Sequence, residues 1–207
     1  MSAIRKELVY AAIEKSHNLM DVNIHDNIHK HHEFQQQIVL ANKSLTNDEK
    51  TEAIGILNNS YDRNKVLFNS GTKRICENCN QECLATLYCE LCVRNYLIAN
   101  FSNWTSGNDN IDNLIQECQM KTLEPKSVVE WIPYNNLENI KYLTKGGCSE
   151  IYTANWIGGA YNEWDSKEKQ LIRIYKSRSV VLKRLENAES ANQSWLDEVG
   201  NLKYLID

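Results

Sequence analysis

Proline and glycine are scarce in this chain. Two prolines and eight glycines in 207 residues exclude collagen-like repeats and proline-rich linkers, which need those residues to recur. Long apolar runs are missing as well. No stretch approaches the ~18 to 20 apolar residues of a membrane span. Met1-Ser2-Ala3-Ile4-Arg5-Lys6-Glu7 carries charge where a secretion signal needs an apolar segment. The expectation is an intracellular, cytoplasmic protein that does not engage a membrane. There is no basic excess either: 23 Lys and Arg against 27 Asp and Glu give a formal net charge of −4. Nothing in that balance draws the chain to nucleic acid. What is present is 42% hydrophobic and 24% charged, with a mean hydropathy of −0.53. Those values suit folded protein rather than a disordered chain, and the length suits one ordinary domain or two small ones.

Helical spacing dominates the first part. Ile4, Leu8, Ala12 and Ile13 share a face over about 2–18, and Ile24, Ile28, Phe34 and Ile38 form a rough stripe over about 24–40. A third helix starts at Thr46-Asn47-Asp48-Glu49, a capping box, and continues with Ile54, Leu57 and Tyr61. Ser70-Gly71 ends it. His25, His29 and His32 are helically spaced, and the first two, at i and i+4, could share a metal. Without an HExxH pattern they read as a solvated polar helix face. Further on, Val93, Leu97, Phe101 and Trp104 mark a helix, Thr105 to Asp109 a turn, and 111–120 a short helix. Pro125 marks a boundary by pushing Glu124 toward extended geometry.

The period then changes to two. Residues 139–143, 150–156 and 180–182 read as strands. Residues 188–205 return to helical spacing, with Trp195, Leu196, Val199, Leu202 and Leu205 on one face. The predicted fold class is α+β: a helical region over 1–70, a cysteine segment and helix over 71–104, a linker with a short helix over 105–130, and a mainly stranded region over 131–207.

Seven cysteines in a reducing compartment point to metal or thiols rather than disulfides. Cys76-x2-Cys79 and Cys89-x2-Cys92 form a paired CxxC pattern. Two thiolates at that spacing fit one tight turn and fill two tetrahedral positions of Zn²⁺, and two such turns close the site. A closed site is structural, and its binding energy supports folding where Asn78, Asn80, Gln81 and Glu82 offer no core. Arg74 and Arg94 flank the cluster and are expected to screen its negative charge. Cys83 is a spare thiol able to replace one ligand, whereas Cys118 and Cys148 stand farther off in sequence.

Between two strand-like runs lies Leu143-Thr144-Lys145-Gly146-Gly147-Cys148-Ser149-Glu150-Ile151-Tyr152-Thr153-Ala154. A tight turn with small residues lets backbone N–H groups approach phosphate oxygens. Val180-Val181-Leu182-Lys183 follows, then a helical run carrying Glu198. In this order the segments from about Trp131 onward resemble the start of a protein kinase domain, most closely the tyrosine-kinase-like serine/threonine kinases and related families expanded in some fungi. The CxxC pair upstream of the kinase start is similar to the arrangement in those proteins.

The resemblance implies an antiparallel small lobe with a regulatory helix. Gly146 matches the middle glycine of G-x-G-x-x-G. Thr144 and Ser149 stand where the other two belong, so two of three glycines are replaced, and Gly147 accompanies them in the phosphate loop. Ile151 matches the valine over the adenine ring. Lys183 matches the lysine of V-A-I-K, with Val181 at the usual alanine, and Glu198 matches the glutamate that orients that lysine. ATP with Mg²⁺ is the cofactor so implied, and phosphoryl transfer to protein Ser, Thr or Tyr the activity of full-length relatives. No H-R-D-x-x-x-x-N and no D-F-G occur before Asp207. The chain therefore reads as a truncated small lobe, inactive by itself, with an unpaired sheet edge open to a partner or to self-association. Trp156, Trp164 and Trp195 are expected to be partly exposed, and 157–179 to form a polar, mobile hairpin insertion. The alternative is a non-catalytic, zinc-containing regulatory or interaction module.

Overall fold

The structure, a computed structural model, describes residues 3–21, 23–145, 149–173, 176–185 and 204–206. The fold is α+β: N-terminal helices, a cysteine segment near 76–92, and antiparallel sheets beyond. Two compact units divide the chain, one of residues 1–76 with 80–89, the other of 77–79 with 90–207.

The first unit is built on α1 (Lys6–Asn18), α2 (Ile28–Ala41) and α3 (Asn47–Phe68), which pack on one another. Val9, Ala12, Val39, Leu45, Ala53 and Leu57 form its core, with Ile13, Ile54 and Ile56 against them. The expected capping box is present: Thr46 Oγ1 accepts from Glu49 N, and Glu49 accepts from Thr46 N. Glu49 also holds the Arg5 guanidinium at 2.8 Å, tying the start of α1 to the start of α3. Those bonds, led by the one from Arg5, keep its carboxyl well below the usual carboxylate range. Asn69 closes α3 in the left-handed region at φ 46°, an end that asparagine tolerates.

The stripe read along α2 is only partly right. Ile24 precedes the helix and is 65% exposed, while Gln35 and Val39 are buried. The histidines expected on a solvated face, His25, His29 and His32, are half-buried instead, and His25 packs on Phe34 with ring centroids 4.4 Å apart. His29 hydrogen-bonds Tyr61 and Ser70, His32 stacks on Tyr61 at 4.1 Å, and Gln35 donates to His17. Helix packing half-buries His29 and His32 because each meets a partner there, whereas His17 stays exposed.

The second unit contains α4 (Glu90–Ala99) and α5 (Asp109–Met120), which pack together, then β3 (Glu130–Ile132). Beyond them β4 (Leu137–Lys145), β5 (Ser149–Ile157) and β8 (Ser177–Leu185) form an antiparallel sheet in the order β4-β5-β8. The strands expected from the alternation are all present. β4 carries two register shifts against β5, and Asn139 at φ 55° lies within the first, a left-handed conformation that occurs in one class of bulge. One sheet face, carrying Leu137, Ala154 and Trp156 with Val180 and Leu182 beside them, packs against Ile132 and Ala160.

Three expectations fail here, wholly or in part. Trp156 is 4% exposed, because the sheet face it occupies is covered rather than open. Trp164 is half-buried, as expected, and Trp195 lies outside the described residues. The 157–179 insertion is not simply polar: its hairpin of β6 (Glu163–Asp165) and β7 (Gln170–Ile172) buries Leu171 at 5% exposure. The helix expected over 188–205 falls mostly outside the described residues. Its end is instead β9 (Tyr204–Ile206), parallel to β3. No helix among the described residues is long and apolar enough to cross a membrane.

Candidate metal centre

The first CxxC sits on a short hairpin, β1 (Arg74–Ile75) against β2 (Glu82–Cys83). Cys76 uses both of its backbone groups to close the turn: its N–H donates to Gln81 O, and its carbonyl accepts from Asn80 N–H at 2.8 Å. Asn80 takes φ 56°, a left-handed conformation that asparagine adopts more readily than most residues. The second CxxC starts immediately before α4 and places Cys92 in its first turn. The unsatisfied N–H groups of a helix start carry partial positive charge and favour a thiolate.

The Sγ atoms of Cys76, Cys79, Cys89 and Cys92 lie within 4.8 Å of one another. Four sulfurs around a tetrahedral Zn²⁺ at ~2.3 Å stand about 3.8 Å apart, so the cluster is of metal-binding size. Cys76, Cys89 and Cys92 are buried at 3%, 2% and 8% exposure, and Cys79 is half-buried. All four ligands expected from the sequence therefore come together. Cys83 is buried too, and with Cys89 and Glu90 forms a second close group. Cys118 stands outside both groups, its thiol pushed up by burial, and Cys148 lies outside the described residues.

The flanking arginines also hydrogen-bond backbone carbonyls. Arg74 donates to Ala85 O and Tyr88 O, bracing the loop before Cys89. Arg94 Nε donates to Thr122 O. The sequence reading missed the main anchor of that loop, Asp62. It is 1% exposed and accepts from Thr86 N, Leu87 N and Thr86 Oγ1 at 2.8, 2.7 and 2.7 Å. Lys65 Nζ, 2.7 Å from Asp62, also donates to Thr86 Oγ1. Burial alone would raise the Asp62 carboxyl, but these donors outweigh it and hold it below its ordinary value. The i, i+3 spacing of Asp62 and Lys65 is visible in the sequence; their joint partner 24 residues on is not.

The positions matched to a nucleotide site divide in two. Gly146, Gly147 and Glu198 lie outside the described residues. Ser149, Ile151 and Lys183 are on adjacent strands, with Ile151 opposite Lys183 and Thr153 opposite Val181. Directly paired residues of an antiparallel ladder share a face, as do alternate residues of one strand. Ser149, Ile151, Val181 and Lys183 thus belong to the face opposite Ala154 and Trp156. Ser149 is buried at 7% exposure, whereas Val181 is 67% exposed and Lys183 is exposed.

Comparison with family models, with curated proteins and with solved structures yields no match.

Proposed function

We propose that residues 137–185 are the nucleotide-gripping sheet of a protein kinase-like small lobe. One observation carries the reading: the register that pairs Ile151 with Lys183 and sets Val181 on the same face. These are the positions that the family resemblance assigns to the adenine ring and to the α/β-phosphates. The opposite face is spent on the unit's own core, which leaves this one for a ligand. Ile151 and Val181 offer apolar contact to a base, and the Lys183 ammonium offers charge to phosphate. By the family resemblance, Gly146 and Gly147, between β4 and β5 in the sequence, are assigned to the phosphates and Glu198 to Lys183. The phosphoryl-transfer activity of kinases is no part of what this sheet supplies; its role is grip on the nucleotide.

The test is thermal unfolding of the purified chain with and without millimolar MgATP. Binding only to the folded form adds RT ln(1 + [L]/Kd), ~2.7 kcal/mol at a hundredfold excess over Kd, and so raises Tm. Lys183→Ala should lose most of the rise. No rise in the native chain would end the proposal.

The cysteine geometry favours a second component, a structural Zn²⁺ held by Cys76, Cys79, Cys89 and Cys92. Four thiolates leave no open position for water, so the ion organises the fold rather than activating a substrate. On this reading the segment serves a regulatory or interaction role. Elemental analysis of the purified chain should find about one zinc per chain, as a four-thiolate site binds a single ion. Cys76→Ser with Cys89→Ser should abolish it.

A further inference from the structure

The second unit holds a cavity of about 300 Å³ that neither the metal centre nor the nucleotide face uses. Its walls carry the rings of Tyr96, Trp104, Trp131, Trp156 and Tyr161. Trp156 belongs to the sheet face opposite Lys183, so this is a separate site. Small-molecule sites start at roughly this volume, which admits a compact ring system and not an extended chain. Aromatic walls favour a flat ligand with a π face.

The polar groups narrow the chemistry. Arg173 pairs with the Glu130 carboxylate and donates to Gly159 O. Its guanidinium lies 3.8 Å from the Tyr161 ring centroid and 5.5 Å from that of Trp156. The two charges cancel and each is already engaged, so an ion gains nothing here and a neutral ligand is favoured. Gln119 is 4% exposed and lines the cavity. Its Nε2 donates to Val129 O at 2.7 Å, which fixes the orientation of the amide. The other end, Oε1, is buried without a hydrogen-bond partner. Buried acceptors are rarely left unmatched, and this one can be met by an N–H or O–H donor, which a nitrogen heterocycle supplies as its ring N–H.

We propose that the cavity binds a neutral, planar, bicyclic nitrogen heterocycle bearing an N–H, the chemistry that indole and the purine bases share. The wall rings stack on it, and Gln119 Oε1 accepts its N–H.

Saturation-transfer NMR on the full chain tests this with indole and adenine in separate arms, which also tells the two sources apart. The third probe, 1-methylindole, keeps the π face and lacks the N–H. Transfer is expected from indole or adenine, with 1-methylindole about tenfold weaker than indole, the value of one well-placed hydrogen bond. Gln119→Leu should bring the two indoles within about twofold, since the acceptor is gone. Trp104→Leu, at a half-buried ring, should weaken both and serves if the Gln119 variant does not fold. Lys183→Ala should change none of this. Three results would overturn the proposal: no transfer from indole or adenine, equal binding of the two indoles to the native chain, or a difference between them that survives in Gln119→Leu. Adenine transfer that vanishes in Lys183→Ala belongs to the sheet face and counts against the cavity.

Discussion

Asp62→Ala should be among the most damaging single changes in the first unit. The carboxylate is 1% exposed and the Lys65 side chain beside it 8%. Truncation leaves a buried ammonium whose remaining contacts are the Thr86 hydroxyl and the Tyr61 ring, 4.9 Å away. Breaking a buried pair from one side costs ~3–5 kcal/mol. Thr86 N and Leu87 N also lose their acceptor, at ~1–3 kcal/mol for each N–H that water cannot reach. Local relaxation makes these terms non-additive, so a loss of about 4 kcal/mol is expected. Urea unfolding followed by helical circular dichroism would measure it. The same change releases the loop leading into Cys89, so zinc affinity, read by competition with a chromogenic chelator, should fall as well. Asp62→Ala with Lys65→Met should recover part of the stability, because the stranded charge is then gone, but not the zinc affinity. A loss under ~1 kcal/mol would refute the reasoning, since it would mean the pair behaves like an exposed one.

Three further outcomes are expected. Burial lowers the His32 pKa below its ordinary 6.5, with Lys65 and His29 adding to the effect and Glu33 and Asp62 opposing it. A depressed folded-state pKa gives stability that is complete above the unfolded value and lost as pH falls through the folded one. The helical unit should therefore weaken as pH drops below about 6.5, a slope that His32→Phe should flatten in pH-dependent unfolding curves. Asp62 and Glu49, both depressed, add a second loss below about pH 4, the ordinary carboxylate range. Thr46→Ala removes the side-chain half of the capping box and should cost about 1 kcal/mol in the same assay. On the zinc proposal, removing the metal with a strong chelator should loosen the 76–92 segment, seen as faster amide exchange at Cys76, Asn80 and Cys92, because a bound ion would supply folding energy there. Unchanged exchange would mean that the hairpin and α4 hold that segment without it.

The capping box at Thr46, the end of α3 before Gly71, the paired CxxC ligands and the strands around residues 151 and 181 were all legible from the residues. Each of these signals acts within one turn or one strand, where covalent geometry alone brings the groups together. The tertiary structure decided which polar residues went inside. His29 found Tyr61 and Ser70, Asp62 found Thr86, and Arg173 found Glu130 43 residues away. It also buried Trp156 by covering one sheet face, and it made residues 204–206 a strand by giving them a neighbour in β3. Partners so far apart along the chain meet only once the fold has closed the loop between them. Local pattern can show that a residue suits burial or pairing, but the choice of partner is made by the packing of whole elements.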